Sequence, residues 1–231
     1  DLGSVRYLCD LSMDEKSKLF GELLKMMTRE VPDRYVKYIP KLISGETYEF
    51  TFEEDYTPFK DASEYSTVIN ACGRNNNYEL GMDVIKGHRA QRHVELEALV
   101  KEHKQYLAQS LTKIQENNSV EIMDNIQYFN GDDVKASVVG TIAGMLLNNY
   151  DWQKPIVGYT HIDSDTPGYK VSLRCSRLLG YDGVHYGNLV RDISQKCGGS
   201  GGGHSVACGA YIPEDNIDQF LELLNNSVNF N

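Results

Sequence analysis

The sequence predicts an α/β fold, a mixed sheet with flanking helices, and three observations carry that expectation. From residue 119 onward, strand-like and helix-like segments alternate, the pattern of helices packed on a sheet. Val134 to Asn148 is apolar almost throughout and contains Gly140 and Gly144, so it reads as a helix buried closely against a neighbour. The run Gly198-Gly199-Ser200-Gly201-Gly202-Gly203 passes through His204 into an apolar strand-like stretch and then an amphipathic helix, without a break. Glycine loses more backbone freedom on folding than any other residue, so a packed chain keeps such a run where the backbone takes positive φ or approaches something closely. A flexible linker is the plainer reading, and the structured segments that follow argue against it.

The elements follow in order. Met13 to Arg29 is helix-like, with Ser12 and Glu15 placed as a capping box and Val31-Pro32 as the stop. Tyr48 to Phe52 is short and strand-like. Ala62 to Cys72 forms a second helix after Thr57-Pro58, with Gly73 as a stop, and Gly81 to Ile85 begins a third. Arg89 to Asn117 is a long polar helix whose apolar side is Leu96, Leu99, Val100, Leu107, Leu111 and Ile114, at helical spacing. Val120 to Phe129, Pro155 to His161, Tyr169 to Arg174 and Ser205 to Ile212 are strand-like, and Tyr186 to Lys196 and Asp215 to Val228 are helical. The expected organisation is therefore a mainly helical segment over 1–90, a connector helix over 91–118 and an α/β domain over 119–231.

The 231 residues suffice for a sizeable core, at ordinary hydrophobic content of 41%. With 33 acidic against 23 basic residues the formal net charge is −10, which excludes a broadly basic nucleic-acid binder. Affinity for nucleic acid has to come from a local patch or another domain. No apolar run approaches the length of a membrane span. The five cysteines are scattered, with no CxxC pair, which fits a reducing cytoplasm better than a disulfide framework or a zinc site. The chain begins Asp1-Leu2-Gly3-Ser4, with neither Met nor signal-peptide pattern, and is expected to be a fragment or processed product.

Two motifs point to anion holding. Backbone N–H groups of the glycine run beside His204 make an anion cradle. A phosphate loop needs Gly-Lys-Ser/Thr, which is absent, and a dinucleotide fingerprint opens a helix after a strand, whereas here the glycines precede a strand. In Lys170-Val171-Ser172-Leu173-Arg174-Cys175-Ser176, strand alternation puts Ser172 and Arg174 on one face, and a guanidinium suits phosphate. Taken alone, that motif is better explained by a solvent-facing strand with a surface Arg. His161-Ile162-Asp163-Ser164-Asp165 is a weak metal candidate, because no second cluster completes a ligand set. Cys197 and Cys208 lie near His204, yet Cys208 sits in an apolar run and suits a core position. His88 and His93 flank Arg89 and Arg92 on a solvated face, and His103 and His185 read as surface or structural residues.

Lys170 to Ser176, followed by a helix and by Gly201-Gly202-Gly203-His204-Ser205-Val206-Ala207-Cys208-Gly209-Ala210-Tyr211-Ile212-Pro213, resembles the DHHA1 domain of the DHH phosphoesterase superfamily. Cys208 stands where that motif usually has its second alanine. Phe59 to Arg74 resembles the stretch that precedes DHHA1 in archaeal RecJ-like single-strand exonucleases. The resemblance implies phosphodiester hydrolysis with two manganese ions, held by an N-terminal domain with an Asp-His-His signature. It also implies that DHHA1 grips nucleic-acid backbone or nucleotide through Arg174, Gly201, Gly202, Gly203 and His204, with Ser172 a weaker member. This sequence contains no Asp-His-His, so no catalytic or metal residue is assigned and the chain is expected to be catalytically silent alone. The expected partner is single-stranded nucleic acid, with no membrane. Archaeal RecJ-like proteins and their eukaryotic replisome relative associate with the GINS replication complex, which makes a non-catalytic replisome adaptor the rival reading. An oligonucleotide or cyclic-dinucleotide phosphodiesterase is a third.

Overall fold

Local capping and an alternating apolar pattern build the elements of the computed structural model, which describes residues 6–162 and 166–228. The chain forms two compact units, Asp1–Glu46 and Thr47–Asn231. In the first, α1 (Met13–Glu30) starts at the capping box read from sequence: the Ser12 Oγ accepts from the Glu15 N–H at 3.3 Å, and the Glu15 carboxylate accepts from the Ser12 N–H at 2.9 Å. The short helices α2 (Asp33–Val36) and α3 (Ile39–Ile43) follow, with Tyr35 and Ile39 buried.

The second unit opens with α4 (Ala62–Arg74), α5 (Tyr78–Ile85) and α6 (Arg89–Glu116). Asp61 caps α4, its carboxylate accepting from the N–H groups of Ser63 and Glu64, a contact worth about 1 kcal/mol. The stretch 48–52 is no strand. It makes only the bridge Glu49 to Asp61, because the chain turns at once and Phe50 packs edge-on against Tyr65. The apolar side of α6 serves two cores. Leu96, Leu99 and Val100 pack with Val68, Cys72, Leu80 and Val84. Leu107, Leu111 and Ile114 pack with Phe129, Val139, Ile142 and Ile156 beneath the sheet.

Among the described residues the sheet has six strands in the order β1-β2-β3-β4-β6-β5. They are β1 (Val120–Ile122), β2 (Gln127–Asn130), β3 (Ile156–Ile162), β4 (Gly168–Arg174), β5 (Ser200–Gly203) and β6 (Ala207–Pro213). Only β2 and β3 pair parallel, across the helix α7 (Val139–Leu146); the other pairs are antiparallel. The mixed α/β expectation is met, with differences of detail. The strand read over 120–129 is a hairpin, because Met123 N–H bonds to Ile126 O and turns the chain. The glycine run is itself an edge strand, β5, rather than a loop. Bare glycines there let the backbone lie against α9 (Tyr186–Lys196): a Cβ on Gly201 would stand 2.8 Å from Ala210 Cβ and 2.9 Å from Ser194 Oγ. The remaining helices are α8 (Arg177–Tyr181) and α10 (Ile217–Ser227).

The helix read over 134–148 shortens to α7 because residues 131–138 form turns, with Val134 N–H bonding to Gly131 O and Val138 N–H to Lys135 O. Those turns carry Lys135, Ala136 and Ser137 across to the end of α4. No helix among the described residues is long and apolar enough to cross a membrane.

Candidate functional site

Alternation along β4 sends Val171 and Leu173 into the core and leaves Lys170, Ser172 and Arg174 on the face that α7 covers. On that face lies a pocket of about 640 Å³. Its cations are Arg74, at the end of α4, with Lys170 and Arg174; His204, Ser137, Thr141 and Ser172 add polar groups, and among the described residues no Asp or Glu lines it. A chain of net charge −10 has thus gathered three cations in one concavity without a counter-carboxylate.

Each cation is held differently. Arg174 donates through Nη1 to Leu173 O at 2.8 Å and Cys208 O at 3.4 Å, so its Nε and Nη2 donate to nothing among the described residues. Burial lowers its pKa, and the nearby Arg74 charge adds to that. Lys170 donates to Ala136 O at 2.9 Å, and burial, then Arg74 and Arg174, lower its pKa too. The Arg74 guanidinium makes no hydrogen bond or ion pair with the described residues, while its backbone carbonyl accepts from Ser137 Oγ at 3.0 Å. Thr141 Oγ1, on α7, is buried with no hydrogen-bond partner there. Burial and like charge both disfavour the charged form of a base, and an anion between the cations would relieve both. Unused guanidinium donors, an orphan hydroxyl and neighbouring cations are groups that suit an oxyanion.

Gly140 makes the arrangement fit. A Cβ there would stand 2.6 Å from Arg174 Nη2 and 3.2 Å from Ser172 Oγ. At the other wall, Gly202 and Gly203 have φ of 145° and 138°, which side chains rarely adopt. Of the residues singled out in the sequence, Ser172, Arg174, Gly202, Gly203 and His204 come together around this pocket. Gly201 does not line it and faces Ala210 and Ser194 instead. His204 is exposed.

Sequence reasoning missed Arg74 and Lys170. The signal for Lys170 was present, since it shares the alternation of Ser172 and Arg174. Arg74 had none, because its approach depends on the fold of 135–137 against α4. The thiol candidates are inert: Cys208 and Cys197 are buried, and burial pushes the Cys208 thiol up to about 12. His185 caps α9, its Nδ1 accepting from Asn188 N–H at 3.2 Å. His103 is buried, 8% exposed. Asp163 and Asp165 of the metal candidate lie outside the described residues. Among the described residues no three His, Cys, Asp or Glu side chains are grouped so that they could hold a metal ion.

Comparison with known proteins agrees with this topology. Residues 117–229 match the DHHA1 domain family, so this part of the chain is a DHHA1 domain. An uncharacterized protein of Methanocaldococcus jannaschii is 31% identical over 172 residues, which are 73% of this chain and 35% of that protein. The chain thus spans about a third of that relative. Among solved structures, RecJ from Thermus thermophilus in complex with Mn2+ aligns with a TM-score of 0.55 at 15% identity, over 71% of this chain and 24% of that one. CDC45 from Entamoeba histolytica aligns with a TM-score of 0.50 at 13% identity, over 96% of this chain and 46% of that one. At such identities the likeness is one of fold.

Proposed function

We propose that this chain is the phosphate-gripping part of a RecJ-like, manganese-dependent single-strand exonuclease, whose metals are held by residues outside it. The observation that carries the reading is the cation set Arg74, Lys170 and Arg174 in a pocket without carboxylates, on an otherwise acidic chain. The ligand is a backbone phosphate of single-stranded nucleic acid. Arg174 meets it with its unused guanidinium donors, as a fork matched to phosphate oxygens. Thr141 Oγ1 and Ser172 Oγ supply the short-range donors, with the His204 side chain at the wall. Lys170 and Arg74 add charge. No step of hydrolysis is assigned to these residues, and the chain alone is expected to leave single-stranded DNA intact in the presence of manganese.

The test is affinity for a labelled single-stranded oligonucleotide with wild-type chain and with the Arg174→Ala/His204→Ala pair. A drop of tenfold or more supports the reading, on the scale of lost charge-assisted hydrogen bonds. Unchanged affinity overturns it. The fold match to CDC45 over 96% of the chain favours a second reading, a non-catalytic adaptor that docks on a replication complex such as GINS. Retained GINS capture by the same double variant, with single-strand binding also unchanged, decides for the adaptor.

A further inference from the structure

The free guanidinium of Arg74 needs something to hold its main chain at the pocket rim. That support runs through Asn75. Asn75 closes α4, its backbone N–H bonding back to Ala71 O, and its side-chain Nδ2 donates to the same carbonyl at 2.8 Å. Its Oδ1 accepts from Lys135 Nζ at 3.3 Å. An amide whose oxygen faces an ammonium and whose nitrogen faces a carbonyl has one orientation only. Its Nδ2 also lies 3.1 Å from Nδ1 of the buried His103 on α6. Nδ1 therefore accepts, the ring is neutral, and its proton sits on Nε2.

The same network reaches the pocket's second cation. Lys135 N–H donates to Tyr106 Oη at 2.9 Å, and its ammonium lies 4.8 Å from the Tyr106 ring centroid. Two residues on, Ser137 holds Arg74 O, while Ala136 O receives Lys170 Nζ. Residues 135–137 are a strap between Arg74 and Lys170, and Asn75 and His103 anchor one end of it.

We propose that His103 is the positioning residue of the phosphate site: its neutral Nδ1 fixes Asn75, and its protonation frees Asn75 and Arg74 and weakens anion binding. This rests on the phosphate reading given above. A protonated imidazole presents N–H at both nitrogens, so Nδ1 would meet the Asn75 amide donor to donor. The charged groups that face it, Arg74 from α4 and Lys135 from the strap, are both cations and repel the added charge. Burial, the larger cause, and these two cations hold the His103 pKa below its ordinary value, which keeps the site assembled at neutral pH. Variants at His103 separate its effect from that of every other group at the pocket.

The experiment is hydrogen exchange of the ligand-free chain at pH 7.5 and pH 5.0, corrected for intrinsic rates, in peptides covering 72–78 and 134–138. Wild type is expected to exchange about five- to tenfold faster in these segments at the lower pH, the size of one lost hydrogen bond. His103→Asn, which keeps an acceptor near Nδ1 and does not titrate, is expected to lose that pH response; His103→Gln serves if the first variant folds poorly. His103→Leu is expected to exchange fast at both pH values. The same exchange response in wild type and His103→Asn overturns the proposal. So does an exchange response with no matching fall in affinity for a single-stranded oligonucleotide relative to His103→Asn. If wild type binds no oligonucleotide at either pH, the phosphate reading fails, and the proposal falls with it whatever the exchange shows.

Discussion

Two regions of one sheet carry opposite electrostatics. On the α7 side, β4 presents Lys170 and Arg174, with Arg74 beside them and no carboxylate lining the pocket. Elsewhere on the sheet, Tyr128, Tyr159, Tyr169 and His161 form a run of ring contacts 5.3–6.3 Å apart across β2, β3 and β4. Carboxylates surround that run. Tyr128 donates to Glu121 at 2.6 Å, His161 lies 3.4 Å from Glu214, and Asp132 accepts from the His161 N–H. Hydrogen bonding to Glu121 pushes the Tyr128 hydroxyl up to about 12, and burial followed by Tyr169 and the nearby carboxylates does the same to Tyr159. Stacking rings alone would suit nucleic-acid bases. Ringed by carboxylates, they repel the phosphates those bases carry. Charge distribution, and not net charge, separates the two regions, so an acidic chain can still take a polyanion at one place and in one orientation.

The contrast can be broken most strongly at Arg174. Arg174→Ala is expected to reduce single-strand affinity about ten- to a hundredfold, read by fluorescence anisotropy, since the lost contacts are charge-assisted. Arg174→Lys should fall between, because an ammonium lacks the planar fork.

Gly140→Ala comes next. Its Cβ would collide with Arg174 Nη2, so affinity should drop about tenfold and the unfolding free energy by about 1–3 kcal/mol, read by urea melts. Gly144→Ala is the control: the nearest atom, Arg174 Cγ, is 3.9 Å away. There the alanine should stabilise the helix by up to about 1 kcal/mol and leave affinity alone. Equal losses at both glycines would contradict this packing.

Acid lability is a smaller effect. The folded-state pKa of His103 is lowered, so below its ordinary value of 6.5 the unfolded chain binds more protons than the native one. Stability is then full above that pH and declines as pH falls toward the folded-state pKa, by at most about 1.4 kcal/mol per pH unit for one group. His103→Asn should flatten this part of a stability–pH curve. The smallest effect belongs to the tyrosine region. Glu121→Lys/Asp218→Lys, at two carboxylates that act on the Tyr128 and Tyr159 hydroxyls, should raise single-strand binding only a few-fold at low salt, and the gain should vanish near 0.15 M salt, where exposed charges are screened beyond about 8 Å. A large, salt-resistant gain would mean that this region also accepts backbone.

Much of this contrast is legible in the amino-acid sequence. Capping chemistry places the starts of α1 and α4, since Ser12 and Asp61 act through neighbours two or three residues away. Period-two alternation places Ser172 and Arg174 on one face, and the same rule covers Lys170. The glycine run is legible as a place where side chains do not fit, yet not as an edge strand, because pairing of Gly201 with Ala210 is a non-local fact. Arg74 is illegible for the same reason. It is 96 residues from Lys170 in sequence (170 − 74), and only the turns of 131–138, which cut short an apparent helix, bring the two together. His103 reads as a surface or structural residue, although it stands seven, four and three residues beyond Leu96, Leu99 and Val100 on the apolar side of α6, so its burial is legible. Its cover by Asn75 and Lys135 is not, because those contacts are non-local.

The most direct test of the phosphate site is side-chain nuclear magnetic resonance of arginine Nε groups during titration with a short single-stranded oligonucleotide. The account predicts that the Arg174 and Arg74 signals shift first and saturate together, while Arg191 and Arg177, which do not line the pocket, move little. Shifts that bypass Arg174 and Arg74, or saturate at other arginines, would contradict it.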